Sequence, residues 1–231
     1  MNSIIERASR LALDLFFPPR CALCGRGGVL LCDDCAATLP PADGSRCERC
    51  WMPVSRAPVC RHCYEHPPAF ESIRAAFVMD GPARRLAHEL KYEGLTSLAE
   101  PMAGLMAACI DVMEADLVVP VPLHRGRERS RGYNQAAELA RHLADASGLP
   151  YDARAARRIR DTAPLARTMH RAERRAIVAG AFTAERQRVE GRRVLLVDDV
   201  VTTGATLDAC AGALLEAGAS TVRCVTWARA D

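Results

Sequence analysis

Arg193–Leu207 reads RVLLVDDVVTTGATL, and this stretch decides the fold. Val194–Val197 is a continuous apolar run of strand length that meets two adjacent acids, Asp198 and Asp199. A turn of Thr and Gly follows, and Ala205–Glu216 then has the apolar spacing of a helix. A strand apolar on both faces that feeds a helix is the unit of a helix-covered parallel sheet. Gly204 permits positive φ and close backbone approach. The amides of Thr202, Thr203, Gly204, Ala205 and Thr206 can then form a nest of donors at a helix N-terminus, where phosphate binds. Acids beside such a cradle suit a sugar phosphate, because its vicinal hydroxyls donate and carboxylates accept. The chain has no GxxxxGK[ST], and no GxGxxG opens a helix, which sets aside P-loop and dinucleotide sites.

Outward from this stretch the same alternation recurs from about Phe70. Strands are expected at Ser72–Met79, Leu117–Val121 and Thr221–Trp227, and helices at Pro82–Tyr92, Thr96–Met113 and Tyr133–Ala146. The fold class is therefore α/β, with about 160 residues sufficing for one such core. Ligands of these sheets bind beyond the carboxyl ends of the strands. The segment leaving Leu117–Val121 is thus of interest: Leu123, His124 and Arg125 leave the strand, and Arg131-Gly132-Tyr133-Asn134 enters the next helix. A guanidinium fork fits phosphate oxygens bidentately. Arg127 and Arg129 read equally well as a solvated loop. Lys91 is the single lysine beside thirty arginines, so its compact ammonium is a candidate ligand group.

The N-terminal third has a different chemistry. Eight of the eleven cysteines form four pairs, Cys21-x2-Cys24, Cys32-x2-Cys35, Cys47-x2-Cys50 and Cys60-x2-Cys63. Two residues between thiols let one turn aim both sulfurs at one tetrahedral ion, and two turns complete a four-thiolate shell. The pattern predicts two zinc ions. Nearest-neighbour pairing and crossed pairing of turns both satisfy the spacing. With every position filled by protein the ions are structural, and a segment this short needs them to fold. His62 and His66 read as surface residues, the Leu39–Arg46 stretch as a linker between ribbons, and Pro67-Pro68 as a boundary. Cys109, Cys210 and Cys224 read as core.

No stretch approaches the roughly 20 apolar residues that span a bilayer. Ile4, Ile5, Ala8, Leu11, Ala12 and Leu15 fall at helical spacing, but Glu6, Arg7, Arg10 and Asp14 interrupt any secretion signal. The expected location is cytoplasmic, where thiols stay reduced and clustered cysteines favour metal. The expected divisions are an amphipathic helix over 1–18, a double zinc ribbon over 19–68 and an α/β domain over 69–231. The formal charge is +3, yet residues 124–175 hold thirteen Arg against six acids. That local surplus suits a polyanionic small molecule or a nucleic acid.

VLLVDDVVTTGAT resembles the phosphoribosyl-diphosphate motif of the type I phosphoribosyltransferases. With FFPPRCALC, LKYEG and VVPVPLHRGRERSRGYNQAAELA, the whole chain resembles the ComF family of competence-associated proteins, including its GntX-like members. The resemblance implies a type I phosphoribosyltransferase-like sheet behind the ribbons, binding phosphoribosyl diphosphate with magnesium. Asp198 and Asp199 would then hold the ribose hydroxyls, and Thr202, Thr203, Gly204, Ala205 and Thr206 the 5-phosphate. Leu123, His124, Arg125, Arg131, Gly132 and Lys91 would serve the diphosphate. Family members carry T-x-x-Q and R-x-x-N-V in the loop before the sugar-binding strand, where this chain has Leu165 and Ile177. The alternative reading is an accessory factor for DNA uptake or recombination, binding single-stranded DNA and partner proteins of those processes.

Overall fold

The computed structural model describes residues 18–109, 115–162 and 177–230. Apart from Pro18, the expected N-terminal helix lies outside the described residues, as do Leu165 and the side chain of Cys109. In chain order the helices are α1 (Asp33–Ala36), α2 (Arg61–Glu65), α3 (Gly81–Tyr92), α4 (Ala99–Cys109), α5 (Arg125–Arg131), α6 (Gln135–Ser147), α7 (Arg186–Val189) and α8 (Ala205–Glu216). The strands are β1 (Ser72–Val78), β2 (Leu117–Pro120), β3 (Ala156–Arg158), β4 (Phe182–Ala184), β5 (Arg193–Val201) and β6 (Thr221–Arg229).

Four strands form one parallel sheet in the order β1-β6-β5-β2. Alternate residues of β5 face opposite layers. Leu195 and Val197 meet Leu86 and Leu90 of α3, Met102 and Met106 of α4, and Leu139 and Leu143 of α6. Val194 and Leu196 meet Leu207, Cys210 and Leu214 of α8, with Phe182 of β4. This two-sided burial explains why the central strands are apolar without alternation. Cys210 and Cys224 are fully buried, as expected, and burial pushes both thiols well above the usual thiol range. Neither is poised as a nucleophile.

Several elements depart from their sequence expectation. The strand expected at Val194–Val197 runs on to Val201, because Asp198 pairs with Thr226 and Val201 with Arg229 of β6. The acids therefore sit in the ladder rather than in the turn. The helix expected over Thr96–Met113 is a 3-10 turn at Thr96–Leu98 followed by α4. The basic segment after β2 is the helix α5, ended by Gly132 in the left-handed region at φ 87. The antiparallel pair β3–β4 was not expected; strands of three residues carry too short a pattern to read.

Each cysteine quartet gathers as nearest neighbours, which settles the pairing. The sulfurs of Cys21, Cys24, Cys32 and Cys35 lie within 4.8 Å of one another, as do those of Cys47, Cys50, Cys60 and Cys63. Zn–S bonds of about 2.3 Å at tetrahedral angles place sulfurs about 3.8 Å apart. Cys24 and Cys32 are 3.7 Å apart, and so are Cys50 and Cys60. The residues present fit zinc.

The Leu39–Arg46 segment does more than link the ribbons. Ala42 N donates to Ala76 O (3.0 Å) and Val78 N to Pro40 O (2.9 Å), so the linker covers the open edge of β1. The second ribbon continues this contact: Arg74 donates to Glu48 O (2.8 Å) and stacks over Trp51 at 4.4 Å. Elemental analysis of the purified chain is expected to give two zinc per chain, falling to one in Cys21→Ser/Cys24→Ser. An unchanged content in that variant would exclude the first quartet as a site.

Candidate functional site

The strand ends of β5 and β2 define the site, with the C-terminal end of α3 beside them. Asp199 is buried at 4% exposure, and its Oδ2 accepts no hydrogen bond. Lys91 Nζ lies 3.7 Å from that oxygen. The Asp199 charge raises the Lys91 pKa against the opposing effect of burial, so the ammonium stays protonated. Asp198 Oδ1 accepts the N–H of Asp199 (2.9 Å). Burial and the neighbouring Asp199 push the Asp198 carboxyl well above the usual carboxylate range. Two acids and one lysine thus share a corner in which Asp199 is buried and Asp198 and Lys91 are half-buried, with one carboxylate oxygen still able to accept a donor.

Next in the chain comes the turn. Gly204 caps α8 at φ 82, where a side chain is strained. It is also packed against: a Cβ there would lie 3.3 Å from Ile73 Cδ1. Ala205 N approaches Thr203 Oγ1 at 3.4 Å, and Thr202 is exposed at the rim. Ala69 N donates to Asp208 Oδ1 (2.7 Å), fixing the first turn of α8 to the segment that enters β1.

Asn134 organises the facing side. Buried at 7% exposure, its Oδ1 accepts the N–H of Ala136 (3.0 Å) to cap α6, while its Nδ2 donates to Val121 O (3.0 Å). Tyr133 Oη donates to Leu90 O, which holds the end of α3 against the α5–α6 corner. A cleft of about 300 Å³ results, lined by Lys91, Tyr92, Gly94, Ser130, Arg131 and Tyr133. Lys91 and Arg131 flank the exposed Tyr92 ring at 5.7 and 5.8 Å. A larger cleft of about 1020 Å³ lies elsewhere, between the second ribbon and the leading halves of β1 and β6. It contains none of these residues.

The structure therefore brings Lys91, Asp198 and Asp199 together, with Thr202–Thr206 following directly in the chain; Arg131 lines the cleft with Lys91, and Gly132 follows it as the cap of α5. Leu123, His124 and Arg125 lie farther along, at the start of α5. His124 Nδ1 accepts the N–H of Gly126 (3.3 Å) as a helix cap. A ring nitrogen accepting there cannot also donate to Asp161, 3.7 Å away. Arg127 Nε holds that carboxylate instead at 3.2 Å. Arg127 and Arg158 also donate to Thr162, to its carbonyl and hydroxyl respectively. Arg158, Asp161 and Thr162 are site neighbours that the sequence reading missed. Arg158 reaches the strand end through a parallel bridge with His124, and no local motif announces it.

Two domain families match this chain: the double zinc ribbon domain over residues 12–64, and the phosphoribosyl transferase domain over residues 129–230. The DNA utilization protein YhgH of Escherichia coli O157:H7 is 30% identical over 226 residues, covering 90% of this chain and 96% of its own. The competence protein ComFC of Bacillus subtilis is 27% identical over 197 residues, covering 81% and 79%. Competence protein F of Haemophilus influenzae is 25% identical over 222 residues, covering 86% and 96%. These alignments span 79–96% of the relatives' own lengths. The chain belongs to the ComF family, in which a double zinc ribbon precedes a phosphoribosyltransferase-type domain.

Proposed function

We propose that this protein binds phosphoribosyl diphosphate together with magnesium. The observation that carries this reading is the convergence of Lys91, Asp198 and Asp199 at the mouth of the Thr202–Thr206 turn. In this assignment Asp198 and Asp199 accept from the ribose 2- and 3-hydroxyls. The amides and hydroxyls of Thr202, Thr203, Gly204, Ala205 and Thr206 donate to the 5-phosphate. Lys91, Arg131 and the Gly132 backbone face the diphosphate, with Leu123, His124 and Arg125 forming the outer wall. The buried oxygen of Asp199, which accepts no hydrogen bond, suits a hydroxyl or a water of a hydrated cation. Magnesium, when bound, neutralises diphosphate charge; Asp198 and Asp199 are the groups that would hold its waters.

Transfer from such a complex breaks the C1–O bond, and diphosphate leaves with the bonding pair. A lone pair of the acceptor forms the new C1 bond, and the acceptor's proton passes to solvent. Positive charge develops at C1, so the chain's contribution is positioning and charge stabilisation. No nucleophilic side chain is required. The zinc ribbon unit of 19–68 and the domain of 69–231 remain our division of the chain, and the cytoplasm our assigned location. Among the described residues no helix is long and apolar enough to cross a membrane.

A second reading, handling of single-stranded DNA, draws on the exposed Arg125, Arg129 and Arg160 and on the names of the relatives. A sugar-phosphate site and a basic rim are compatible in one molecule.

Calorimetry with phosphoribosyl diphosphate and magnesium tests the first reading. Binding to the wild type is expected, with at least a roughly 10-fold loss in Asp198→Asn/Asp199→Asn, since a hydrogen bond to a charged acceptor contributes about 1.5–3 kcal/mol. No binding by wild type would sink it. The raised pKa of Asp198 gives a separate expectation for the free protein. The stability associated with neutral Asp198 is present below the unfolded carboxyl pKa and is lost as pH rises through the raised folded value. Asp198→Asn alone should therefore raise Tm at pH 8 by about 2–4 °C, with the gain shrinking toward acid pH. A lower Tm at pH 8 would contradict the buried-acid account. For DNA, affinity for a single-stranded oligonucleotide should fall steeply with salt, and Arg125→Ala/Arg129→Ala should flatten that slope. A salt-independent affinity would remove the second reading.

A further inference from the structure

Arg229 ends β6 with 0% exposure. A guanidinium is buried stably only when its donors find acceptors. Nη1 donates to the carbonyl of Cys50 (2.5 Å) and Nη2 to the carbonyl of Thr202 (2.8 Å). Cys50 belongs to the second cysteine quartet, and Thr202 opens the turn that precedes α8. The fork is planar and rigid, so it holds these two carbonyls at a fixed separation. The backbone around it is pinned as well: Ala230 N donates to Val201 O (2.9 Å) and Met79 N to Arg229 O (2.6 Å). The first quartet has a different neighbour. It packs toward α3, where Arg85 donates to Leu23 O (3.1 Å).

We propose that Arg229 is a positioning residue through which the second cysteine quartet, and not the first, sets the order of the Thr202–Thr206 turn. Cys50 supplies both a sulfur to the quartet and the carbonyl that Arg229 holds. When the metal leaves, the sulfurs separate, the Cys50 peptide shifts, and the fork transmits that shift to Thr202. The consequence for ligand affinity rests on the reading of this turn as a phosphate cradle; the mechanical link does not.

Hydrogen exchange on the full chain tests the link without any ligand. In Cys60→Ser/Cys63→Ser, which leaves Cys50 in place, amides of residues 202–206 should exchange about 10-fold faster or more, while those of 194–197 stay protected. In Cys21→Ser/Cys24→Ser the turn should be unchanged. Arg229→Lys, which keeps the charge but loses the fork, should retain two zinc and show a fast-exchanging turn. Adding Cys60→Ser/Cys63→Ser to it should then have little further effect. Unchanged exchange at 202–206 in Arg229→Lys, or equal acceleration by both quartets, overturns the proposal.

A measurement on intact chains guards against misfolding of the cysteine variants. Coupling between binding sites is reciprocal at equilibrium. Saturating ribose 5-phosphate should raise the affinity for one of the two zinc ions by about 5-fold or more in competition with a chelator, and this gain should vanish in Arg229→Lys. Ribose 5-phosphate that binds by calorimetry yet shifts neither zinc overturns the proposal. Absence of ribose 5-phosphate binding instead overturns the cradle reading, and the exchange experiment then decides the link alone.

Discussion

The ladder between β5 and β6 does not stop where the apolar residues stop. It continues through Asp198, paired with Thr226, to Val201, paired with Arg229. Two carboxylates are thereby carried to the mouth of the site on backbone that is already hydrogen-bonded, with Asp199 almost wholly out of water. Ionised groups so placed are costly unless a partner is near, and the neighbourhood reflects that. Lys91 approaches Asp199 from the last turn of α3, and the Asp198 carboxyl holds its proton more tightly than usual. The turn that follows begins from fixed strand ends, so the residues of the turn are set by the same ladder. Such a placement holds the two acids and the start of the turn fixed relative to Lys91.

The ribbons are integral to the sheet. An open parallel edge presents unpaired backbone groups that invite association, and β1 would be such an edge. Pro40–Ala42 covers it with backbone hydrogen bonds, and Glu48, Arg49 and Trp51 extend the contact along Ile73 and Arg74. Metal therefore has two structural consequences. It organises about 45 residues that lack the apolar surface to fold alone, and it presents them in the shape that closes the edge of β1. Arg229 shows how near this contact comes to the candidate site, because one side chain spans from the quartet to the turn.

Much of this was legible in the residues themselves. The four Cys-x2-Cys turns fixed the metal class, since tetrahedral thiolate coordination tolerates few other spacings. The apolar run into Asp198, Asp199 and a Thr/Gly turn announced a parallel-sheet fold, because strand, acid pair and turn are contiguous; the sugar-phosphate chemistry read from it is the function we propose. α8 was expected at its observed bounds for the same reason of local periodicity. Lys91 stood out only by its rarity, and spacing gave no hint of what it would meet.

What the tertiary structure decided involves residues distant in sequence. Pairing within the cysteine quartets, the approach of Lys91 to Asp199, the tie from Tyr133 to Leu90 and the Arg229 fork all join segments whose separation leaves no local pattern. The extension of β5 past its apolar run belongs here too: an acid in a strand contradicts local propensity, and only the partner strand β6 imposes it. The sequence by itself determined the chemistry of the groups, because ligand type and turn geometry are local properties. Their placement relative to one another was decided by sheet order and packing, which are not.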